Sequence, residues 1–305
     1  MSEDIYDVIV VGGGPAGLTA ALYTARHDLN TLVLEGRKIG GKALEAHWVD
    51  NYPGFPEGIS GQDLMENMIQ QAVRFGAEIR NETVVGLSDL GELKMITTRM
   101  GFYQAKSVVV ATGVSRKTLS VPGENEYKGR GVSYCGVCDG PFFRDKTVAV
   151  VGGGHEAVHD IEMLSETADK VYAIPGKKGY SEDFPELASL RENPKVEFIT
   201  GADVKEIGGS DFVEYVTLEG SIKGRLNLDG VFIILEQVPT VGILGEAGVS
   251  TDGGGCIMVD NDMETNIEGL FAAGDCTCEG MQIVTAAGMG ARAALSALKH
   301  VKSLG

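Results

Sequence analysis

A chain of 305 residues, 43% hydrophobic and 23% charged, has the balance of a globular protein and the length for two domains of ordinary size. Its formal net charge of −17 disfavours nucleic acid and anionic membrane surfaces, since both need a cationic face. No apolar run reaches the roughly 18 residues a membrane-spanning helix requires, and the acidic Met1-Ser2-Glu3-Asp4 start is unlike a secretory signal, so a cytoplasmic location is expected.

Asp7-Val8-Ile9-Val10-Val11 reads as a buried parallel strand. It runs straight into Gly12-Gly13-Gly14-Pro15-Ala16-Gly17, then a helical pattern over 18–26 and a second strand, Thr31-Leu32-Val33-Leu34-Glu35. In this frame Gly12 makes the tight turn, Gly14 admits a pyrophosphate close to the backbone, and Gly17 lets helix pack on strand. The helix N-terminus then faces the phosphate, and Glu35 is placed to accept hydrogen bonds from a ribose diol. A glycine pattern alone also describes a structural turn; strand, helix and acid in register favour a nucleotide. Ser107-Val108-Val109-Val110-Ala111-Thr112-Gly113 reads as the strand closing this half, and the turn-rich Val121-Pro122-Gly123-Glu124-Asn125 as a crossing point.

Cys135-Gly136-Val137-Cys138 follows. Five cysteines are too few and too unevenly placed for a secreted disulfide scaffold, so a close pair reads as catalytic or metal-binding. Zinc would want a second such pair or two histidines at suitable spacing. Cys256 stands isolated and Cys276-Thr277-Cys278 has the wrong spacing, so a redox dithiol is favoured over zinc and no metal is expected. Asp139 is a candidate proton carrier, or else an exposed turn carboxylate.

A second frame begins roughly 140 positions after the first, with strand Thr147-Val148-Ala149-Val150-Val151, then Gly152-x-Gly154-x-x-Ala157, a helical pattern over 158–164 and strand Lys170-Val171-Tyr172-Ala173-Ile174. Glu156 sets a carboxylate where pyrophosphate charge would lie, and no acid ends the second strand. Lys177 and Lys178, after Pro175-Gly176, suit a 2′-phosphate or a solvated turn; a nicotinamide nucleotide is expected here, NADP over NAD. His155 and His159, at i and i+4 with no acidic or thiol partner that fixes a metal, read as structural or solvent-facing. Val231-Phe232-Ile233-Ile234-Leu235 is the matching strand, Pro239 a second breaker, and a helix is predicted over 286–299. Cys276 and Cys278 are either a second redox pair or, more in keeping with their size, packing residues. The fold class is α/β: two doubly wound nucleotide-binding domains, the second inserted in the first. A dithiol encoded between two nucleotide sites has the parts needed to move an electron pair from a nucleotide to a disulfide.

These features resemble the low-molecular-weight thioredoxin reductases over essentially the whole chain. Gly40-Gly41, Asn51-Tyr52-Pro53-Gly54-Phe55, Ala111-Thr112-Gly113, Gly131-Val132-Ser133-Tyr134-Cys135, Cys138-Asp139-Gly140 and Gly269-Leu270-Phe271-Ala272-Ala273-Gly274-Asp275 are similar to that family's motifs. The resemblance implies a homodimer with FAD in a discontinuous domain, 1–114 plus 244–305, and a domain of 115–243 for NADPH that carries the dithiol and rotates between flavin and substrate. It implies thioredoxin or a thioredoxin-like protein as partner, and a flavoprotein disulfide reductase as activity. Gly12, Gly14, Pro15, Ala16, Gly17, Glu35, Gly41, Asn51, Ala111, Thr112, Gly113 and Gly274 would serve FAD, with Asp275 near the ribityl chain and Gln282 beside the isoalloxazine. Trp48 fits either a place near the flavin or the core. Cys138 would be the flavin-proximal sulfur, Cys135 the attacking one and Asp139 the general acid. Gly152, Gly154, Lys177 and Lys178 would serve the nicotinamide nucleotide.

The chain departs from the family where the donor binds. Glu156 replaces Ser or Thr; Pro175, Gly176, Lys177 and Ser181 replace His-Arg-Arg and a later Arg; Glu236-Gln237 replaces Gly-His; and Met281 replaces an Arg. Some relatives so altered take electrons from ferredoxin or a reduced deazaflavin; the intact second loop keeps NADPH favoured. A ferredoxin–NADP reductase of this architecture lacks the paired cysteines, and a flavin-binding redox sensor would use them without turnover.

Overall fold

Val8, Ile9 and Val10 have no exposed surface, and a run of such residues forms the central strand β1 (Ile5–Val11). It leads into α1 (Pro15–Ala25), where Pro15 in the first turn supplies the φ a helix start favours, and then β2 (Thr31–Leu34). Ser60 Oγ accepts the Asp63 N–H at 3.0 Å and caps α2 (Gly61–Arg74). β3 (Glu78–Arg80), β4 (Val84–Asp89), β5 (Lys94–Thr98), β6 (Phe102–Val110) and the short β7 (Val114–Arg116) follow. Next come β8 (Val132–Ser133), α3 (Gly136–Asp139), β9 (Thr147–Val151), α4 (His155–Thr167), β10 (Lys170–Ile174), α5 (Leu187–Glu192) and β11 (Val196–Phe198). An antiparallel meander, β12 (Ala202–Gly209), β13 (Val213–Gly220) and β14 (Gly224–Asn227), precedes β15 (Gly230–Ile233) and β16 (Gln237–Pro239). β17 (Leu270–Ala272) and α6 (Ile283–Ser303) close the chain.

The computed structural model describes residues 5–181, 184–235, 237–244, 247–279 and 281–304; Met1 to Asp4 and Glu236, read above from sequence, lie outside them. The chain forms two units, Met1–Ser115 with Val238–Gly305, and Arg116–Gln237, so the return crossing comes ahead of residue 244. Among the described residues no helix is long and apolar enough to cross a membrane.

In the first unit the strand order is β3-β2-β1-β6-β5-β4, with β17 also on β6. Strands β3, β2, β1, β6 and β17 run parallel. Val11 is level with both Leu34 and Val110, so the turns after β1, β2 and β6 emerge together at one edge. Alanines of α1 (Ala16, Ala20, Ala21) and α6 (Ala293, Ala294, Ala297) pack with Val8, Val10, Val33, Val109 and Phe271 on one face. In the second unit β11-β10-β9-β15-β8 is all parallel. Ala157, Val158, Ile161 and Leu164 of α4 cover Val148, Val150 and Phe232, while the meander's Val204, Ile207, Val216 and Leu218 cover the opposite face. The α/β class and both strand–turn–helix–strand frames stand as read from sequence.

Candidate active site

β8 ends at Ser133, and within two residues the chain turns into α3 with Cys135 as its N-cap. One helical turn brings Cys135 and Cys138 together, Cα atoms 5.3 Å apart, in a disulfide. Cys138 N–H donates to Cys135 Sγ at 3.2 Å. Cys135 is half-buried and Cys138 exposed. Ser133, itself buried, ties the turn to Asp139: its Oγ accepts the Cys135 N–H at 3.1 Å and donates to Asp139 Oδ2 at 2.6 Å.

Two further carboxylates hold this segment. Gly136 N–H donates to Oδ2 of Asp160 on α4 at 2.9 Å. Asp160 is 5% exposed, and burial raises its carboxyl above the usual range; Glu156 pushes the same way, while the Gly136 N–H and His159 oppose. A Cβ at position 136 would stand 2.6 Å from Cγ and Oδ2 of Asp160, so a glycine is what leaves the carboxylate room. Glu124, 1% exposed, accepts the Tyr134 hydroxyl at 3.1 Å and the N–H groups of Leu119 and Ser120 at 3.2 and 2.7 Å. In sequence Glu124 reads only as a turn residue, and no motif there singles out Asp160. The signal for Asp160 was an acid on the helix stripe shared with Ala157, Ile161 and Leu164.

The sequence-predicted residues of the first loop converge. Gly12 has φ +112°, and a Cβ there would collide with the Ala111 carbonyl. Beside Gly14 no atom stands within 4 Å of an added Cβ, and α1 begins at Pro15 without a side-chain cap. Glu35 receives the Gly13 N–H at 2.8 Å and the Arg37 N–H at 2.7 Å, which fixes its carboxylate at the loop. Gly40 N–H donates to Gly13 O at 2.8 Å, a Cβ on Gly41 would lie 3.2 Å from the Gly14 Cα, and one on Gly17 would strike the Gly12 carbonyl. From the far end of the chain, a Cβ on Gly274 would come 2.9 Å from the Ala16 Cβ, and Ala273 N–H donates to Val110 O at 2.9 Å. Thr112 and Gly113 follow Ala111 at the same edge, and Asp275 follows Gly274, half-buried. Asn51 Nδ2 donates to Gln282 Oε1 at 3.2 Å. An open helix N-terminus with a fixed carboxylate beside it suits a dinucleotide pyrophosphate and ribose. Trp48 fills no core: it is 44% exposed and donates to Asp50 Oδ1 at 3.0 Å.

The second loop repeats the turn with different charges. A Cβ on Gly152 would strike the Ile234 carbonyl, Gly154 faces open space, and α4 also lacks a side-chain cap. Glu156 lies in the first turn. Lys177 Nζ is 3.0 Å from Asp203 Oδ2, which raises the lysine's pKa and engages its charge; Lys178 has no partner among the described residues. His155 and His159 each have an acidic neighbour, the distant Glu186 at 3.3 Å and the adjoining Asp160 at 3.9 Å. No cluster of His, Cys, Asp and Glu suited to a metal occurs among the described residues.

The remaining cysteines correct the sequence reading. Cys256 is bonded to Cys278, Cα atoms 5.6 Å apart, and Cys276 is free and buried. Residues 275–277 form a tight helical turn rather than an extended segment, so Cys276 and Cys278 do not share a face. The Cys276 thiol donates to Val110 O and Ala273 O at 3.5 and 3.4 Å, and burial pushes it up to about 11.

Two nucleotide-type loops and a disulfide-bearing turn define a nucleotide-dependent disulfide oxidoreductase. Residues 6–290 match the family model of pyridine nucleotide-disulphide oxidoreductases. The thioredoxin reductase of Treponema pallidum is 40% identical over 99% of each chain, and that of Bacillus subtilis 41% identical over 100% of this chain and 98% of its own. The crystal structure of thioredoxin reductase from Streptococcus pyogenes matches with a TM-score of 0.94 at 37% identity, covering 99% of this chain and 100% of that one. The chain belongs to the pyridine nucleotide-disulphide oxidoreductase family and is a flavoprotein disulfide reductase.

Proposed function

We propose that the protein reduces thioredoxin or a thioredoxin-like protein with electrons from NADPH, using FAD. The observation that carries this reading is the Cys135–Cys138 disulfide, encoded between two uncapped glycine-loop helix starts. FAD, when bound, supplies a two-electron relay between nicotinamide and disulfide. Gly12, Gly14, Pro15, Ala16 and Gly17 would hold its pyrophosphate, Glu35 its ribose, and Gly41, Asn51, Ala111, Thr112, Gly113 and Gly274 would line the rest, with Asp275 serving the ribityl chain and Gln282 the ring system.

In the reduced enzyme Cys135 is the nucleophile. Its thiolate bonds to one substrate sulfur as the substrate disulfide breaks, and Cys138 then attacks Cys135, so the substrate leaves as a dithiol. Asp139, oriented by Ser133, hands over the proton the leaving sulfur needs. Gly152 and Gly154 would receive the NADPH pyrophosphate, and Lys178 would serve its 2′-phosphate. The grip is weak, because Asp203 engages Lys177 and Glu156 repels phosphate. The protein acts as a homodimer, which sedimentation checks.

The test is anaerobic mixing of FAD-loaded protein with NADPH, NADH, reduced ferredoxin and reduced deazaflavin in turn. Slow flavin bleaching by NADPH, faster than by NADH, is expected. Failure at millimolar NADPH with success of a low-potential carrier overturns the donor assignment; a preparation that retains no FAD overturns the whole reading.

A further inference from the structure

The chemistry above leaves the Cys256–Cys278 disulfide unused. Each half of it lies in a segment already closed by its own backbone. Asp252 N–H donates to Cys256 O at 3.0 Å, and Asp252 Oδ1 accepts the N–H groups of Gly254 and Cys256 at 2.8 and 2.9 Å. On the other side, Thr277 N–H donates to Gly274 O at 3.0 Å and Cys278 N–H to Asp275 O at 2.9 Å. Ile257 N–H donates to Cys276 O at 2.9 Å and stitches the two segments together beside the bridge. Breaking the S–S bond therefore leaves two thiols as neighbours, held at the high effective concentration that makes closure reversible. Both cysteines are half-buried rather than enclosed. The third thiol does not compete: Cys276 is fully enclosed, bound to two carbonyls and raised to about 11, so its thiolate is scarce.

The bridge also bears on the site. Cys278 ends the turn Asp275–Thr277 with φ +61°, a left-handed conformation uncommon for a residue other than glycine. Its covalent tie to the 252–256 loop is one of the restraints holding that turn, which carries Asp275 and leads towards Gln282 at the start of α6.

We propose that Cys256–Cys278 is a second thiol–disulfide exchange site, opened by the dithiol form of the enzyme's own protein substrate, and that opening it loosens the Asp275 turn and lowers the hold on FAD. The coupling to flavin rests on the reading that Asp275 serves FAD; the exchange itself rests on the protein substrate being a dithiol protein. A thiolate of the reduced partner bonds to one sulfur of the pair as the Cys256–Cys278 bond breaks, and the released sulfur takes a proton from water. The partner's second thiolate attacks its own half of the mixed disulfide, and the second cysteine leaves and is protonated in turn. Two electrons pass, the partner ends as a disulfide, and that disulfide is again a substrate for the Cys135–Cys138 centre. Accumulating product thus slows the enzyme that makes it.

The test uses the FAD-loaded Cys135→Ser/Cys138→Ser protein and a reduced thioredoxin that the intact protein turns over. After native incubation, N-ethylmaleimide and mass spectrometry locate free thiols, and a flavin titration gives FAD affinity. Adducts on both Cys256 and Cys278 are expected, with oxidised thioredoxin formed in equal amount and FAD affinity lowered about fivefold or more. Cys256→Ser/Cys278→Ser should show the same weakened affinity without any reductant. Adducts only after denaturation would make the bridge purely structural and overturn the proposal. Exchange with unaltered FAD affinity overturns the coupling, and Asp275→Asn then assigns the fault. If that change weakens FAD, the switch is wrong; if it does not, the flavin role of Asp275 is wrong. A protein that turns over no thioredoxin refutes the function proposed above instead.

Discussion

The contact between Gly136 and Asp160 is tight enough to predict a double-mutant cycle. In Gly136→Ala the new Cβ would meet the Asp160 carboxyl at 2.6 Å, whereas ordinary contact begins at 3.4 Å, so the carboxylate must retreat by about 0.8 Å. That carries the 2.9 Å bond from Gly136 N–H out of hydrogen-bond range. Losing a bond to a charged acceptor costs about 1.5–3 kcal/mol. Overpacking adds about 1–3 kcal/mol, offset by about 1 kcal/mol from the better helix propensity of alanine. A net loss of about 1.5–5 kcal/mol is expected in urea unfolding, with reductase turnover reduced because the cysteine turn shifts. Asp160→Ala alone leaves a buried N–H without an acceptor, for about 1–3 kcal/mol. In the double variant the Cβ has room and there is no carboxylate to displace, so the losses should fall short of the sum by about 1 kcal/mol or more. Additivity within about 0.5 kcal/mol would refute the steric coupling on which the argument depends.

Asp160→Asn should also change how stability varies with pH. Burial raises the Asp160 carboxyl above its ordinary 3.8, so its contribution is full below that value and is lost as pH rises through the raised one. Unfolding free energies of the parent should fall relative to Asp160→Asn from about pH 4 upward, and parallel curves would remove the buried-acid account. Cys138→Ser should accumulate a stable mixed disulfide between Cys135 and substrate, seen on non-reducing gels, whereas Cys135→Ser should not; the opposite result exchanges the two roles. Asp203→Asn frees Lys177, and Glu156→Ser removes a charge beside the pyrophosphate, so each should lower the NADPH KM by roughly two- to fivefold, on the scale of an exposed ion pair. An unaltered KM in both would place the nucleotide elsewhere.

What the sequence made legible was local and periodic. The β-branched runs at 8–11 and 147–151, the glycines after them and the paired cysteines each signal through neighbours within a dozen positions, and their elements appear where expected. The misreadings concern distant partners. Cys256 looked isolated because its partner lies 22 positions on, and the alternative of a Cys276–Cys278 pair fails because residues 275–277 form a tight turn. Lys177 looked available because Asp203 meets it only through the fold. Asp160 was invisible for a related reason: an acid on an apolar helix stripe declares its purpose only when the Gly136 amide arrives from another element. The same cases show what surrounds the reactive disulfide. Glu124, Asp139 and Asp160 each bind the strand or turn that carries it, two of them almost fully buried, in a chain whose net charge of −17 spoke only against nucleic acid and anionic membranes. The three carboxylates persist there because each is engaged by donors from that segment. The acidity of this segment is therefore part of how the cysteine turn is held, and the positions that hold it are those where neutralising a charge should be felt in the chemistry.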